Sequence, residues 1–391
     1  MDRRTFLKTA GPTTLAATLA GCLVSDGGDG GDGGDGTDGD PTDEPGTTEG
    51  GTDTQGTPTA TPEPDLEGTL TVATYSAFVD APSSSPGPWL KDEFESQYPD
   101  ATVEYVTPEN GLNQYVQRRK QGAGIDADVY VGLNTSQLIT VDENLPDSRL
   151  FADLDRGRLE NAGAVKSELE VDPRGRAIPY DTGYISLVYD ESVVSNPETF
   201  EALTTSEYAG TLLAQNAQTS DTGRAFLLWT IHEFGEDGYL DYWRNLLDND
   251  VRILENWDAA YGAYGEGERP MVVSYSTDQV FANRYDQDMT RHQVSFPNDQ
   301  GYANPETMAV FEGADEPDLA YRFFDFLLSP TAQGEIAERN VQFPATDNAE
   351  LSAEYDRYAK VPPEPVTFSY EQLQGNVEGW IDDWGREVVS R

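Results

Sequence analysis

Residues 24–65 of this chain have almost nothing with which to build a core, so folding is confined to the residues C-terminal to them. The stretch runs through Gly-Gly-Asp repeats (Asp26-Gly27-Gly28-Asp29-Gly30-Gly31-Asp32) and then a Thr/Pro/Glu segment ending Thr59-Ala60-Thr61-Pro62-Glu63-Pro64. So little apolar surface does not offset the entropy of ordering a chain, and the segment is expected to stay disordered. A flexible chain of about 40 residues has an end-to-end distance of roughly 30–40 Å. That length holds a domain clear of a lipid surface or cell wall. The tether is assigned to residues 23–66 and the folded domain to residues 67–391.

Ahead of the tether, Arg3-Arg4 precede a short, small-residue, apolar stretch that closes on Leu19-Ala20-Gly21-Cys22. Paired arginines before a weakly apolar run form a twin-arginine export signal. The Leu-Ala-Gly-Cys ending reads as a lipobox, in which Cys22 becomes the first mature residue and carries lipid. Roughly 13 weakly apolar residues do not span a bilayer, which needs about 20. Residues 1–22 are therefore read as a signal and Cys22 as the lipid attachment point. The expected location is extracytoplasmic, anchored to the outer face of the cell membrane. Cys22 is also the only cysteine, which leaves the folded domain without disulfides or thiol catalysis.

Charge narrows the partners. The chain carries 71 acidic against 25 basic residues, a net charge of −46, and only five of the basic residues are lysine. Such an excess makes a protein self-repelling at low salt. At 1 M salt the Debye length is only about 3 Å, which screens the repulsion. A dispersed acidic surface with scarce lysine points to a salt-loving, haloarchaeal type of organism. Nucleic acid is not an expected partner, because a phosphate backbone requires a basic footprint.

The folded part alternates strand and helix patterns. Leu70–Tyr75, Thr102–Val106 and Asp128–Val131 read as strands, separated by helices at Trp89–Tyr98 and Leu112–Gln121. Downstream come helices at Arg224–Phe234 and Leu240–Asn249, a strand at Val251–Leu254, a helix at Trp257–Tyr264 and a strand at Met271–Tyr275. Helices at Leu319–Leu328, Thr331–Arg339 and Tyr370–Val389 follow, the last carrying Trp380 and Trp384 for a core. This alternation predicts an α/β fold with a largely parallel sheet. The extended run from Arg176 to Tyr189 is a natural crossing between two lobes. Lobe 1 is expected over about 67–180 plus part of the C-terminal region, and lobe 2 over about 185–310.

Open α/β sheets place ligands beyond the carboxyl ends of their strands, so the residues there are the candidates. They are Tyr75, Glu109, Asn110, Asn134, Asp181, Thr219, Ser220, Thr222, Gly223, Trp257, Tyr275, Ser276 and Thr277. Electron-rich rings favour a cation, by about 0.5–2 kcal/mol, and stack on flat heteroaromatic rings. A helix N-terminus at Thr219–Gly223 presents free N–H groups to a phosphate or hydroxyl. Carboxylates and amides bond an exocyclic amine or balance positive charge. Singly, each has a structural alternative: Thr219–Thr222 as an N-cap, Trp257 as core, Tyr275 as an ordinary strand-end aromatic, Asp181 as a pin at the crossing. Jointly they describe a ligand that is aromatic, cationic and in some forms phosphorylated.

From about Leu70 to Arg391 the chain resembles the thiamine-binding substrate-binding proteins of ABC importers. The resemblance rests on Leu70-Thr-Val-Ala-Thr-Tyr75-Ser-Ala-Phe78, Asp128-Val-Tyr-Val-Gly-Leu-Asn134 and Pro179-Tyr-Asp181-Thr-Gly-Tyr184. Thr219-Ser-Asp-Thr-Gly223, Trp257-Asp-Ala-Ala-Tyr261-Gly262 and Val273-Ser-Tyr275-Ser-Thr277 complete it. It implies a two-lobed type II periplasmic-binding-protein-like fold with the ligand in a cleft between lobes. It implies thiamine or a thiamine phosphate as transported ligand, a permease and an ATPase as partners, a monomer, and no cofactor or bound metal. By position, Tyr75, Trp257 and Tyr275 would line the ring pocket, with Asn110 and Glu109 near the ligand and Thr219, Ser220 and Thr222 at its hydroxyethyl or phosphate end. Phe281 stands where a tyrosine is common and Val341 where tryptophan is frequent, and Asn110 and Asn134 replace aspartates. The ligand form therefore stays open among thiamine, its phosphates and a related pyrimidine.

Two other classes compete. A type II receptor for ferric iron or a polyamine would need paired tyrosines with His or carboxylate ligands, or more strand-end carboxylates. The two histidines, His232 and His292, lie near no Tyr-Tyr pair in sequence. An enzyme would need a nucleophile elbow, a zinc-spaced cluster or a cleft cysteine, and none of these patterns occurs in the sequence. No catalytic residue is assigned.

Overall fold

A computed structural model describes residues 66–80 and 85–389. The export signal, Cys22 and all of the tether but Leu66 lie outside the described residues. Leu66 itself packs against one of the hydrophobic clusters and so belongs to the folded part. The chain opens with β1 (Gly68–Ala73), α1 (Ser76–Val79), α2 (Pro86–Gln97), β2 (Ala101–Val106), α3 (Leu112–Lys120), β3 (Val129–Leu133) and α4 (Thr135–Asn144). The long β4 (Ala177–Tyr189) leads into β5 (Leu212–Gln215), α5 (Asp221–Asp248), β6 (Arg252–Leu254), α6 (Trp257–Gly265), β7 (Met271–Tyr275), α7 (Asp278–Arg284) and β8 (Gln293–Ser295). β9 (Gln300–Val310) returns, followed by α8 (Pro317–Leu327), α9 (Pro330–Asn340), β10 (Phe343–Pro344), α10 (Ala353–Tyr358), β11 (Glu364–Val366), α11 (Tyr370–Leu373) and α12 (Val377–Val389).

The strands join in the order β2-β1-β3-β9-β4-β7-β5-β6. The expectation of a largely parallel sheet is corrected. Pairing is parallel at the two ends, between β1 and β2 or β3 and between β5 and β6 or β7. Through the middle, β3–β9, β4–β9 and β4–β7 are antiparallel. Helical crossovers generate the parallel ends, whereas β4 and β9 run back against their neighbours and are shared by both halves of the sheet. β9 is invisible as a strand pattern because it contains Asn304-Pro305-Glu306, and proline donates nothing to a ladder. Pairing with β3 on one side and β4 on the other supplies the order that the local sequence lacks.

One helical expectation holds and another changes. The helices foreseen at 224–234 and 240–249 are two helices that meet at a kink within α5, at Gly235, which adopts φ 70° and ψ 171°. The C-terminal helix is split into α11 and α12 around Gly375, at φ 76°. α12 closes the larger core: Trp384 is buried edge-on to Trp243, ring centroids 5.3 Å apart. The Trp243 Nε1–H donates to Thr230 Oγ1 at 2.9 Å, while the Trp384 Nε1–H is buried without a protein acceptor.

An ion network ties α4 and α11 to the start of β4. Buried Arg176 donates to Asp142 Oδ1 at 2.6 Å and to Asp172 Oδ1 at 2.8 Å, and the Tyr370 hydroxyl donates to Asp142. Burial pushes the Asp172 carboxyl up, but the hydrogen bond and charge of Arg176, with backbone N–H donors of Arg176 and Arg174, outweigh it and hold it below the ordinary range.

Trp384→Ala is expected to cost about 3–5 kcal/mol. Trp384→Phe should cost distinctly less, since it removes a buried donor without an acceptor. Denaturant midpoints at molar salt check the pair, and equal losses would contradict the assignment. Asp172 stabilises the fold above the ordinary carboxylate range, and that contribution is lost as pH falls below about 4. Arg176→Met should therefore be destabilising by roughly 3–5 kcal/mol at neutral pH and show a shallower acid limb in a pH series of thermal melts.

Candidate functional site

The floor of the site is a defect in the β4–β9 ladder. Pro179 pairs with Thr307 and Asp181 with Glu306, so Tyr180 is an extra residue on β4. Such a bulge re-aims side chains that a regular strand would send to opposite faces. The Tyr180 hydroxyl donates to Glu306 Oε2 at 2.5 Å. The Tyr75 hydroxyl, just past β1, lies 3.5 Å from that of Tyr180 and also hydrogen-bonds Glu306. Asn340, the last residue of α9, donates through Nδ2 to the Tyr75 hydroxyl at 3.0 Å and to Asp181 Oδ2 at 2.7 Å. Val341 then turns the chain away in the left-handed region, at φ 54°.

Two rings stand on glycines. Gly132 of β3 has φ 101°, and a Cβ there would lie 2.6 Å from the Tyr75 ring. A Cβ on Gly183 of β4 would lie 2.8 Å from the Tyr275 ring and 2.6 Å from Gln342 Oε1. Tyr75, Tyr275 and Glu306 each keep part of their surface open, whereas Asp181 is fully buried. The Tyr275 hydroxyl meets Thr222 Oγ1 at 3.3 Å, linking the end of β7 to the first turn of α5.

Electrostatically the floor is negative. Burial first, and then the charge of Glu306, push the Asp181 carboxyl well above its usual range, against the Asn340 hydrogen bond. Burial also raises Glu306, opposed by hydrogen bonds from Tyr180 and Tyr75. Burial and the two carboxylates hold the Tyr75 and Tyr180 hydroxyls well above the ordinary phenol value, so both remain protonated. Asp181 Oδ1, Gln342 Oε1 and Ser276 Oγ are buried without a hydrogen-bond partner among the described residues.

Tyr75 and Asp181 are thus joined through Asn340, and Thr222 and Tyr275 pair with each other. Several other candidates are engaged locally. Asn134 caps α4 in a reciprocal capping box with Gln137. Ser220 Oγ caps α5 by accepting from the Gly223 N–H, and Gly223 lies close against β5, where a Cβ would be 2.7 Å from the Gln215 carbonyl. Thr219 Oγ1 donates to the Glu255 carbonyl at 2.6 Å. Ser276 and buried Thr277 lead into α7, on which Phe281 lies against Tyr285, ring centroids 4.7 Å apart. Glu109 and Asn110 are exposed in the turn before α3. Trp257, the first residue of α6, stacks on Tyr261 at 4.7 Å and donates its Nε1–H to Ser274 Oγ at 3.1 Å. Tyr261 in turn donates to Asp278, whose other oxygen bonds His292 Nδ1 at 2.7 Å.

Tyr180, Glu306 and Asn340 were not among the sequence candidates. Tyr180 sits in the Pro179–Tyr184 segment that carries part of the family resemblance and was legible there, but Glu306 and Asn340 gave no signal. One lies in a strand disguised as a loop and the other ends a helix of ordinary pattern.

The model of the bacterial extracellular solute-binding protein family matches residues 127–364, more than half of the chain. The thiamine-binding periplasmic protein of Salmonella typhimurium is 29% identical over 324 residues, covering 82% of this chain and 93% of that protein. A solved periplasmic thiamin binding protein superposes with a TM-score of 0.66 at 26% identity, over 82% of this chain and 96% of the other. The ferric binding protein from Campylobacter jejuni shares the fold alone, with a TM-score of 0.66 at 15% identity over 81% of this chain and 99% of the other. The architecture is that of type II periplasmic binding proteins. By its sequence match and its fold, the chain belongs to the bacterial extracellular solute-binding proteins.

Proposed function

We propose that this protein is an extracytoplasmic receptor that captures thiamine or a thiamine phosphate and delivers it to an ABC importer. The observation that carries the proposal is the floor of the site, where open tyrosine rings, Tyr75 and Tyr275, flank two carboxylates. Such a floor suits a flat ring system bearing positive charge. Aromatic faces attract a cation by about 0.5–2 kcal/mol as water is excluded. Trp257 supplies a further ring wall, and the first turn of α5 at Thr222 faces the hydroxyethyl or phosphate end. The two halves of the sheet act as lobes, and β4 and β9, which cross between them, carry the hinge whose closure signals occupancy to the permease and ATPase. The protein works as a monomeric receptor rather than an enzyme. Cys22 carries the lipid that keeps it at the outer face of the membrane, on the tether of residues 23–65.

Ferric ion is the competing ligand, on one observation: the hydroxyls of Tyr75 and Tyr180 lie 3.5 Å apart beside Glu306, an all-oxygen set. Ferric coordination calls for phenolates, and both phenols are held in the protonated form.

Titration calorimetry at molar salt with thiamine, its mono- and diphosphate, ferric citrate and spermidine separates these ligands. Heat with a thiamine form and none with iron or spermidine is expected, and silence with every thiamine form would refute the receptor proposal. Trp257→Ala should weaken thiamine binding by at least about 1 kcal/mol and diminish the ligand-induced quenching of tryptophan fluorescence.

A further inference from the structure

The proposed receptor holds an unusual arrangement at its centre. Asp181 and Glu306 face each other across the β4–β9 register. Neither forms an ion pair with arginine or lysine among the described residues; their partners are Asn340, Tyr180 and Tyr75. The groups that bear on them come from every neighbouring element and are neutral or acidic: Tyr75 after β1, Tyr130 on β3, Tyr180 on β4, Asp221 at the start of α5, Tyr275 on β7 and Tyr355 on α10. Two adjacent carboxylates removed from water do not both ionise without a counter-charge. Two acceptors beside them, Asp181 Oδ1 and Gln342 Oε1, are buried and without a donor. Gln342 directly precedes β10, which pairs Phe343 with Thr182 and Pro344 with Asp181, so both acceptors belong to the same spot on the floor. Glu306 is partly open, as are Tyr75 and Tyr275.

We propose that Glu306 and Asp181 are the specificity-determining counter-charge of the cleft, and that a cationic, donor-bearing ligand takes the place of a proton the pair holds when the cleft is empty. The inference rests on the proposed function as a thiamine receptor. The proton leaves for the bulk buffer, the ligand's positive charge replaces it, and the ligand's N–H groups supply the donors that Asp181 Oδ1 and Gln342 Oε1 lack. Both carboxyls are raised in the empty protein, Asp181 most clearly, which agrees with a bound proton. A neutral ligand displaces no proton, and it gains the hydrogen bonds without the charge attraction. Selectivity for the cation over its uncharged fragments follows.

The test is calorimetry of the full chain with thiamine at molar salt over a series of pH values, at each in two buffers of different ionisation enthalpy. The expected result is release of up to one proton per ligand, with affinity rising by at most about tenfold per pH unit and then levelling off. Glu306→Gln should abolish the release and weaken thiamine at least about tenfold, and weaken the neutral aminopyrimidine fragment several-fold less than it weakens thiamine. Tyr180→Phe removes a donor that stabilises ionised Glu306, so it should keep the release and move the pH profile upward. Thermal melts establish that each variant is folded. Should Glu306→Gln unfold, Asp181→Asn and the Tyr180→Phe profile decide. Buffer-independent heats in the wild-type protein, with thiamine still bound, would overturn the inference and leave the receptor proposal standing. No heat with any thiamine form would instead remove the receptor proposal.

Discussion

The structure turns on the bulge that sets Tyr180 and Asp181 together opposite Glu306. A regular antiparallel ladder would have sent Tyr180 and Asp181 to opposite faces. The extra residue lets one side chain donate to Glu306 and the other confront it, at the point where both halves of the sheet share strands. Two carboxylates without a basic partner cost stability. The surrounding ladder, with β4 and β9 paired over most of their length, makes that cost tolerable. The same two strands hold the acids and connect the two halves of the sheet.

The walls depend on close approach rather than on propensity. The Tyr75 and Tyr275 rings lie where a Cβ on Gly132 or Gly183 would collide with them, so strand positions normally filled by side chains are left open for aromatic faces. Thr222 and Ser220 illustrate the opposite economy, in which one helix start serves both fold and site. Ser220 Oγ closes the first turn of α5, and Thr222 Oγ1 reaches the Tyr275 hydroxyl. Asn134 shows a strand-end residue turned wholly to capping through its side chain. Helix N-termini at strand ends therefore carry both kinds of residue, and only contacts tell them apart.

Much of the fold was legible locally. β1, β2, β3 and β7 and helices α2, α3, α6, α8 and α9 carry the period-2 or period-3.6 patterns that such elements need. The break at Gly235 falls in the gap foreseen between two helices, whereas Gly375 showed where the C-terminal helix breaks only once its backbone angle was known. β9 escaped notice, because Asn304-Pro305-Glu306 has the composition of a turn and is held extended by neighbours far away in sequence. Missing β9 also meant missing Glu306 and misjudging the sheet as largely parallel. Within the site, Tyr75, Thr222 and Tyr275 were recognisable by their place at or after strand ends, a rule that follows from α/β topology, whereas Asp181, read at the lobe crossing, lies inside β4.

By itself the sequence pointed to the class of protein: paired arginines and a single cysteine ahead of a long Gly/Asp/Thr/Pro-rich stretch, 71 acidic against 25 basic residues, and alternating strand and helix patterns behind them. These are properties of composition and local period, which need no knowledge of contacts. Tertiary structure alone decided which polar groups meet. The Tyr75–Tyr180–Glu306 and Asn340–Asp181 contacts join residues from β1, β4, β9 and the end of α9, separated by 105 to 265 positions where hydrogen bonds span them. No local pattern encodes a pairing at that separation. A strand register and a one-residue bulge do, and they exist only in the folded chain.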